Sequence, residues 1–260
     1  MYGAIIGDIV GSRFEFNNIR SKDFEFFHED CYFTDDSVMT IAVAKALHES
    51  KKNDYEDLSE QCVRWMKEIG KKYPGCGYGG HFFQWINFYD DPKPYNSFGN
   101  GSAMRTSGCG WIADSLEEAL HLAEVCASVS HNHPEGIKGA QATTACIYLA
   151  REGKSKEEIR KFVEDNYYKL DFTIEDIKDT YRFNETCQET VPQAIECFLE
   201  SDSYEDAIRN CMWLGGDCDT SGAICGGIAE AYHGLPEGFK EKARDYLTVY
   251  LAKMIDSLED

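Results

Sequence analysis

Apolar residues recur at the spacing of an α-helix along most of this chain, and no other feature limits its possible folds as strongly. In residues 36–50, Val38, Ile41, Ala42 and Leu47 fall on one side of a helix. Further helices are predicted at about 55–70, 116–128, 135–151, 155–168, 186–200, 203–213, 220–233 and 237–256. Alternating apolar and polar runs, which are typical of strands, are scarce. We therefore expect an all-α fold, built as a single compact multi-helix domain over residues 1–260.

The charge of the chain narrows the range of partners. Its 46 acidic and 26 basic residues give a formal net charge of −20. Such a surface repels phosphate backbones and anionic bilayers, so partners such as nucleic acids and membranes are not expected. A small anionic ligand would need local help from metal ions, backbone N–H groups or a few basic side chains.

The cysteines and the N-terminal residues bear on the cellular compartment. The eleven cysteines include no Cys-x-x-Cys pair, which argues against a zinc or redox motif. An odd number of cysteines and the absence of a recognisable leader favour a reducing environment. No stretch approaches the length of a membrane span. We expect a soluble, cytoplasmic, monomeric protein.

Two acidic clusters lie near opposite ends of the chain, each at the predicted start of a helix. Their oxygen-bearing side chains are Thr34, Asp35, Asp36, Asp217, Asp219 and Thr220. Neighbouring carboxylates repel one another unless a cation neutralises them, and oxygen-only donors favour Mg²⁺, Mn²⁺ or Ca²⁺ over zinc. Helix capping is the competing interpretation, because Asp and Thr are favoured at helix N-termini. If the fold joins the clusters, they could hold one or two divalent cations.

Two glycine-rich stretches, 74–80 and 99–110, interrupt the helices. The first contains a Gly-x-Gly-x-x-Gly pattern, but no strand precedes it, so a dinucleotide-binding fold is rejected. The second could present backbone N–H groups to an anion such as a diphosphate, or could be a simple turn. Between them, residues 87–98 are predicted to be a loop, and 170–185 to be a helix or a lid.

Two isolated polar sites have several interpretations each. His131 and His133 precede a helix that begins with proline, which fits metal ligation, hydrogen bonding to a ligand, or capping. Zinc is disfavoured because no third ligand lies at a suitable spacing. Glu15 lies between two phenylalanines, where a raised pKa is conceivable but a solvated side chain is the default.

Taken in order, these motifs resemble the ADP-ribosylglycohydrolase family, which includes the dinitrogenase-reductase-activating glycohydrolases. The matching segments are Gly3–Asp8, Gly11–Glu15, Thr34–Ser37, Gly77–Gly80, Gly99–Arg105, Ser130–His131 and Gly216–Thr220. They extend over nearly the whole chain, so the resemblance is more specific than any single motif. It departs from the family at Cys218, where threonine is common, and in 87–98 and 170–185, which do not align.

The resemblance implies an all-α fold with a binuclear Mg²⁺ (or Mn²⁺) centre at the base of a cleft for ADP-ribose. The implied metal ligands are Thr34, Asp35, Asp36, Asp217, Asp219 and Thr220. The implied substrate-binding residues are Gly77, Tyr78, Gly79, Gly80, Phe98, Asn100, Gly101, Ser102, Met104 and His131. Glu15 corresponds to a glutamate on a mobile loop that reaches the metal site.

The implied activity is hydrolysis of the C1″ glycosidic bond between ADP-ribose and a protein side chain or small acceptor. The bond would break through an oxocarbenium-like state that carboxylates can stabilise. Glu15, Asp35 and Asp217 are equal candidates for the general acid or base. The acceptor stays open among arginine, serine, another side chain, a base and an acyl ester.

Two rival functions fit parts of the pattern. A catalytically silent ADP-ribose-binding or structural protein could use the same scaffold, although the acids at every matched metal position argue against it. An all-α metal-dependent phosphohydrolase would be expected to contain a His-Asp ligand pair, which this sequence lacks.

Overall fold

The chain folds into α-helices joined by loops, in a computed structural model that describes residues 1–258. The helices are α1 (Tyr2–Ser12), α2 (Asp35–Ser50), α3 (Leu58–Gly70), α4 (Gly80–Asn87), α5 (Gly101–Met104), α6 (Ser107–Ile112), α7 (Leu116–Ser128), α8 (Pro134–Arg151), α9 (Lys156–Asn166), α10 (Ile174–Ile177), α11 (Cys187–Leu199), α12 (Tyr204–Leu214), α13 (Cys218–His233), α14 (Phe239–Tyr246) and α15 (Val249–Asp256). A single 3-10 turn spans Lys51–Asn53. Within 1–258 the β pairing is limited to one isolated bridge, Gly99–Thr186. The all-α prediction is confirmed.

Local sequence signals explain where several helices begin and end. The Ser115 side chain accepts a hydrogen bond from the Glu118 backbone N–H at the start of α7. Ser155 and Glu158 form a reciprocal capping box at the start of α9. Gly234 has a positive φ of 72° directly after α13, a conformation that glycine adopts without strain and that stops the helix.

The structure differs from the predicted helices in three places. Helix α1 was not predicted, because all eleven of its residues are buried and its sequence therefore has no polar face. The segment 237–256 forms two helices, since Leu247 adopts an extended conformation and the Thr248 side chain caps α15. Helix α4 begins at the last glycine of the first glycine-rich stretch, the second stretch contains α5 and the start of α6, and 170–185 is loop around the single turn of α10.

Helices α1 and α13 approach each other through glycines. A Cβ atom placed on Gly7 would lie 1.9 Å from the carbonyl oxygen of Gly222, and one on Gly3 would lie 2.3 Å from that of Gly226. Only glycine permits two helix backbones to come this close. The contact continues to Gly11, beside Cys218 and therefore at the first turn of α13.

Helix α13 is the centre of the fold. Its residues from Cys218 to Glu230 are all buried, and it packs against α1, α8, α11 and α12. One apolar core extends from α1 to α15 around it. The N-terminal turns of α2 and α13, which carry the two acidic clusters, meet on one side of this core. None of the helices within 1–258 has the length and apolar character needed to cross a membrane.

Candidate functional site

The fold brings the two acidic clusters into contact. The Thr220 hydroxyl donates to Asp36 Oδ2 at 3.4 Å, although the two residues are 184 positions apart. The Thr34 hydroxyl lies 3.3 Å from the same carboxylate oxygen. The site is therefore shared between the first turns of α2 and α13, as expected if both clusters serve one centre.

Five carboxylates form two overlapping groups around this point. Asp8, Asp36 and Asp219 each contribute an oxygen atom to a set that lies within 4.8 Å, and Glu15, Asp217 and Asp219 form a second such set. Asp219 belongs to both groups. Two neighbouring sets of three oxygen ligands, sharing one residue, have the composition of a two-cation centre for hard metal ions.

Asp8 was not assigned a ligand role in the sequence, yet it lies at the base of this cluster. It is fully buried in α1 and accepts hydrogen bonds from the backbone N–H groups of Thr34 and Ser37 at 3.0 Å each. Their two hydroxyls also donate to it. The sequence signal is a carboxylate inside the otherwise apolar run from Tyr2 to Val10, and the α1–α13 glycine contact explains why it reaches the site.

Burial and mutual repulsion disfavour the ionised forms of these acids. Desolvation, reinforced by neighbouring carboxylates, raises the pKa values of Asp35, Asp36 and Asp219 well above their usual range. Desolvation raises the pKa of Asp8 to about 6 despite its hydrogen bonds. Desolvation and the nearby Asp217 raise the pKa of Glu15 to about 7. Without a cation, these groups are not readily ionised together.

The donor set fits divalent cations. Oδ1 of Asp36 is buried and has no hydrogen-bond partner among the described residues, which is a costly position for a carboxylate oxygen. Asp217 Oδ2 is held by the Asn100 side chain at 2.7 Å, which fixes that carboxylate at the start of α13. The oxygen-only chemistry suits Mg²⁺ or Mn²⁺ better than zinc.

A cleft of about 720 Å³ opens above the acids. Its floor contains Glu15, Asp35, Asp36, Asp217, Asp219 and Thr220. Its walls include the predicted substrate-binding residues Gly77, Gly79, Gly80, Phe98, Asn100, Gly101, Met104 and His131. The structure thus brings together residues from six separate parts of the sequence in one cavity.

Three predicted site residues lie behind the cleft surface. Thr34 is 3% exposed, and its hydroxyl bonds to Asp8 and Asp36. The Tyr78 side chain is buried against Phe82. The Ser102 hydroxyl donates to the Gly136 carbonyl at 2.7 Å, away from the cleft.

Gly77 lies beside the acidic cluster in the wall of the cleft. Its φ of 101° favours glycine, and a Cβ atom there would lie 3.0 Å from Asp35 Oδ1. The preceding residue, Cys76, accepts a hydrogen bond from the Asp35 N–H at 2.7 Å. The loop 75–79 therefore sets the position of the Asp35 side chain.

The stretch beginning at Gly99 is more regular than a loop that offers successive free N–H groups. It forms the single turn α5, in which the N–H groups of Ser102, Ala103 and Met104 already donate to carbonyls of Gly99 and Asn100. Recognition of a ligand by this segment would therefore depend more on side chains and on the remaining N–H of Gly101.

The loop that carries Glu15 is tied to the loop before α13. The Asn18 side chain donates to the Gly216 carbonyl at 2.9 Å and accepts from the Gly216 N–H at 2.8 Å. It also donates to the carbonyls of Phe14 and Glu15. Arg20 adds bonds to the carbonyls of 181 and 214. These contacts hold Glu15 close to Asp217.

Several cleft residues had no assigned role in the sequence. They are His81, Phe82, Tyr95, Asn96, Ser97, Gly99, Arg105, Glu185 and Thr186. Most belong to the 87–98 and 170–185 stretches or their borders, where composition indicated only a loop. Their place in the cleft follows from the Gly99–Thr186 bridge, which long-range pairing creates and local sequence does not reveal.

The sequence is similar to those of several ADP-ribosylhydrolases. The family described as ADP-ribosylglycohydrolase matches residues 1–260. Homo sapiens ADP-ribosylhydrolase ARH3 is 24% identical over 322 residues, covering 94% of this chain and 88% of that protein. The ADP-ribosyl-(dinitrogen reductase) glycohydrolase of Rhodospirillum rubrum is 25% identical, covering 86% and 78%. The ADP-ribosylarginine hydrolase Tri1 of Pseudomonas putida is 24% identical, covering 90% and 70%.

A solved structure has the same fold as this chain. A solved ADP-ribosylglycohydrolase-related protein superimposes with a TM-score of 0.69 over 100% of this chain and 96% of that one, at 20% sequence identity. At this identity the superposition shows the fold alone, whereas the match over the full sequence shows the relationship. The chain belongs to the ADP-ribosylglycohydrolase family.

Proposed function

We propose that this protein is a Mg²⁺-dependent hydrolase that cleaves the C1″ glycosidic bond between ADP-ribose and its acceptor and releases ADP-ribose. Membership of the family supports cleavage of ADP-ribose conjugates. The names of the relatives add that such enzymes act on ADP-ribosylated proteins or arginine. The metal requirement and the bond that is cleaved are our own inference from the site.

The observation that carries this proposal is the acidic floor of the cleft. Asp36 Oδ1 is buried and has no hydrogen-bond partner within residues 1–258, at a point where two sets of three carboxylates converge. Buried carboxylates in such numbers are costly unless cations compensate them. A site built only for binding a neutral sugar would not need them.

The residues of the chain have distinct tasks in this scheme. Bound Mg²⁺ ions would orient the ribose hydroxyls and lower the pKa of a water molecule. Asn100 fixes Asp217, and the loop 75–79 fixes Asp35, so that both carboxylates stay in place beside the ribose. Glu15, which is the least buried of the five grouped carboxylates, is placed to exchange a proton through its carboxylate oxygens. The developing positive charge at C1″ would lie above these acids.

The decisive experiment measures ADP-ribose release from arginine-linked and serine-linked conjugates, with Mg²⁺ or with EDTA. Release should require Mg²⁺ and should fall at least about a hundredfold in Asp219→Asn, because that side chain belongs to both carboxylate groups. Asp171→Asn, which changes an exposed acid, is the matched control and should keep full activity.

Three other outcomes would replace the proposal. Release that persists in EDTA would exclude the metal requirement. ADP-ribose binding without release from any conjugate would show a binding protein on the same scaffold. Release of phosphate or AMP in place of ADP-ribose would show a phosphohydrolase.

A further inference from the structure

Arg105 is a buried cation directly behind the cleft. It follows α5, is completely inaccessible to solvent, and borders the cavity. Its Nη2 donates to the carbonyls of Cys126 and Ala127 at 3.0 and 3.2 Å. These carbonyls belong to the last turn of α7, where the helix dipole favours positive charge. Among residues 1–258, the guanidinium is therefore held by carbonyl and hydroxyl oxygens and by no carboxylate.

The same nitrogen atom, Nη2, also donates a hydrogen bond to Ser130, and this contact determines the direction of the Ser130 hydroxyl proton. Nη2 of Arg105 donates to Ser130 Oγ at 2.9 Å, and Ser130 Oγ lies 2.7 Å from Nδ1 of His131. A guanidinium can only donate, so the serine oxygen is the acceptor in the first bond. Within residues 1–258, His131 Nδ1 is the one hydrogen-bond acceptor in reach of the buried serine hydroxyl. The serine proton therefore points at Nδ1, and the imidazole carries its own proton on Nε2.

The Nε2 edge of His131 faces the cleft. A Cβ atom placed on Gly101 would lie 3.3 Å from Nε2, and one on Gly99 would lie 3.5 Å from it, so glycines leave this edge uncovered. The rings of Phe82 and Tyr95 flank the imidazole at 6.1 and 5.8 Å between centroids. Burial, together with the positive charge of Arg105, lowers the pKa of His131 well below its usual range. The ring is thus neutral at physiological pH.

We propose that Arg105 is a positioning residue that acts through Ser130 to hold His131 as the neutral imidazole with its proton on Nε2, so that His131 donates a hydrogen bond to an oxygen atom of bound ADP-ribose. The identity of the ligand rests on the function proposed above. The arrangement of the three side chains does not. A neutral donor in a fixed orientation can bind a ligand oxygen without a counter-ion and without waiting for a proton from solvent.

Nitrogen NMR of the metal-loaded protein tests the tautomer directly. With ¹⁵N-labelled histidine, the His131 signals are identified by their loss in His131→Gln. We expect Nδ1 to be unprotonated and Nε2 to be protonated from about pH 6 to about pH 8, since Arg105 and the neutral Tyr95 phenol are the ionisable groups that face the ring. A protonated Nδ1, or an imidazolium at about pH 6, would overturn the proposal.

Ser130→Ala removes the link and leaves the guanidinium in place. In this variant the tautomer preference of His131 should weaken, which appears as averaged ¹⁵N shifts at both ring nitrogens. Arg105→Lys should do the same, and Ser130→Ala gives the answer if the lysine variant does not fold. Shifts identical to those of the wild type in Ser130→Ala would contradict the relay.

Calorimetry with ADP-ribose connects the relay to the ligand. His131→Phe should weaken binding by about tenfold and Ser130→Ala by about two- to tenfold, through loss or misorientation of one hydrogen bond. Ser59→Ala, an exposed serine on α3, is the control and should bind as the wild type does. Unchanged affinity in both site variants would refute the proposed donor.

Neither the NMR measurement nor the calorimetry needs turnover. A protein that hydrolyses no conjugate can therefore still show this tautomer of His131, and an active enzyme can still lack it.

Discussion

Asp36 is a residue whose burial lowers the stability of the metal-free folded protein. Its side chain is only 2% exposed, one of its oxygen atoms has no hydrogen-bond partner in the described part of the chain, and Asp8 and Asp35 lie close by. Desolvation first, and these charges second, raise its pKa well above the usual range. The metal-free protein must therefore either keep a proton on this group or tolerate an unfavourable charge.

Replacement of Asp36 by asparagine should stabilise the metal-free protein. In the folded state the Asp36 carboxyl binds its proton more tightly than in the unfolded chain. Stability that depends on this group is therefore lost as pH rises from the ordinary aspartate value of about 3.9 through the raised folded-state pKa. In EDTA, the melting temperature of Asp36→Asn should exceed that of the wild type by a margin that grows with pH, at about 2–4 °C per kcal/mol.

The control for this prediction is Asp171→Asn, which changes an exposed carboxylate. It should show no comparable margin at any pH. A melting temperature of Asp36→Asn in EDTA at pH 8 that lies below the wild-type value would mean that Asp36 is stabilising in its own right, and that its charge needs no cation.

At the level of helices, the α1–α13 contact determines whether the two halves of the site meet. Gly7→Ala would place a methyl group 1.9 Å from a backbone carbonyl, which no side-chain rotation can relieve. We expect the helices to separate, with a loss of stability of about 3 kcal/mol or more and loss of metal binding. Chemical denaturation and Mg²⁺ titration measure the two effects.

Gly227→Ala is the matched control, because it changes a buried glycine of α13, the partner helix, whose nearest neighbours are the side chains of Ile147 and Ser107 at 3.3 and 3.4 Å. These side chains can shift slightly, and alanine favours the helix by about 1 kcal/mol. A Gly7→Ala protein as stable as Gly227→Ala would show that the backbone contact is not required.

The loop that carries Glu15 provides a second prediction at this level. Asn18→Ala removes both hydrogen bonds to Gly216 and releases the loop from α13. We expect kcat for conjugate hydrolysis to fall about tenfold or more while the affinity for ADP-ribose changes little, because Glu15 loses its position and the cleft walls do not. Hydrogen exchange of residues 13–20 should rise in parallel.

Asn166→Ala removes an exposed side chain that bonds only within its own helix, and it should leave kcat and hydrogen exchange near Glu15 unchanged. Equal activity of Asn18→Ala and the wild type would mean that the loop does not need this anchor to place Glu15.

At the scale of the whole molecule, we expect divalent cations to raise the free energy of unfolding. If Mg²⁺ binds only the native state, then at a hundred times its dissociation constant it adds about 2.7 kcal/mol, or roughly 5–10 °C in melting temperature. The net charge of −20 would also attract cations nonspecifically, so NaCl at equal ionic strength is the necessary comparison. Asp217→Asn should lose the Mg²⁺ effect, and an equal shift in this variant would point to surface binding.

Local patterns predicted most of the fold. Helices such as α7 and α9 carry a polar face and recognisable caps, so their periodicity and limits can be found in the sequence. Helix α1 could not be found in this way, because burial on all sides removes the periodic signal. Its glycines at positions 3, 7 and 11 were the available sign of a close helix contact.

The site was predictable as a set of residues and less so as an arrangement. The two acidic clusters predicted a cation site, which stays a prediction. Only the folded chain shows that Asp8 lies beside Asp36 and Asp219. The cavity walls around Tyr95 and Glu185 depend on the pairing of Gly99 with Thr186 across the sequence. Such long-range contacts cannot be found from local composition. The contacts of Arg105 with Cys126 and Ser130 are of the same kind, so the sequence showed this residue only as the end of a glycine-rich motif.

The contact between α1 and α13 also has a consequence for synthesis on the ribosome. Thr220 and Asp36, which meet in the site, are separated by 184 residues, so at bacterial or eukaryotic translation speeds roughly 10–40 seconds pass between them. Throughout that interval Asp8 and Asp36 lack Asp219, the third carboxylate of their group, and the nascent chain holds only the N-terminal half of the acidic site. Loading with the cation is therefore expected to be one of the last events in maturation, after translation has delivered the helix that completes the binding site.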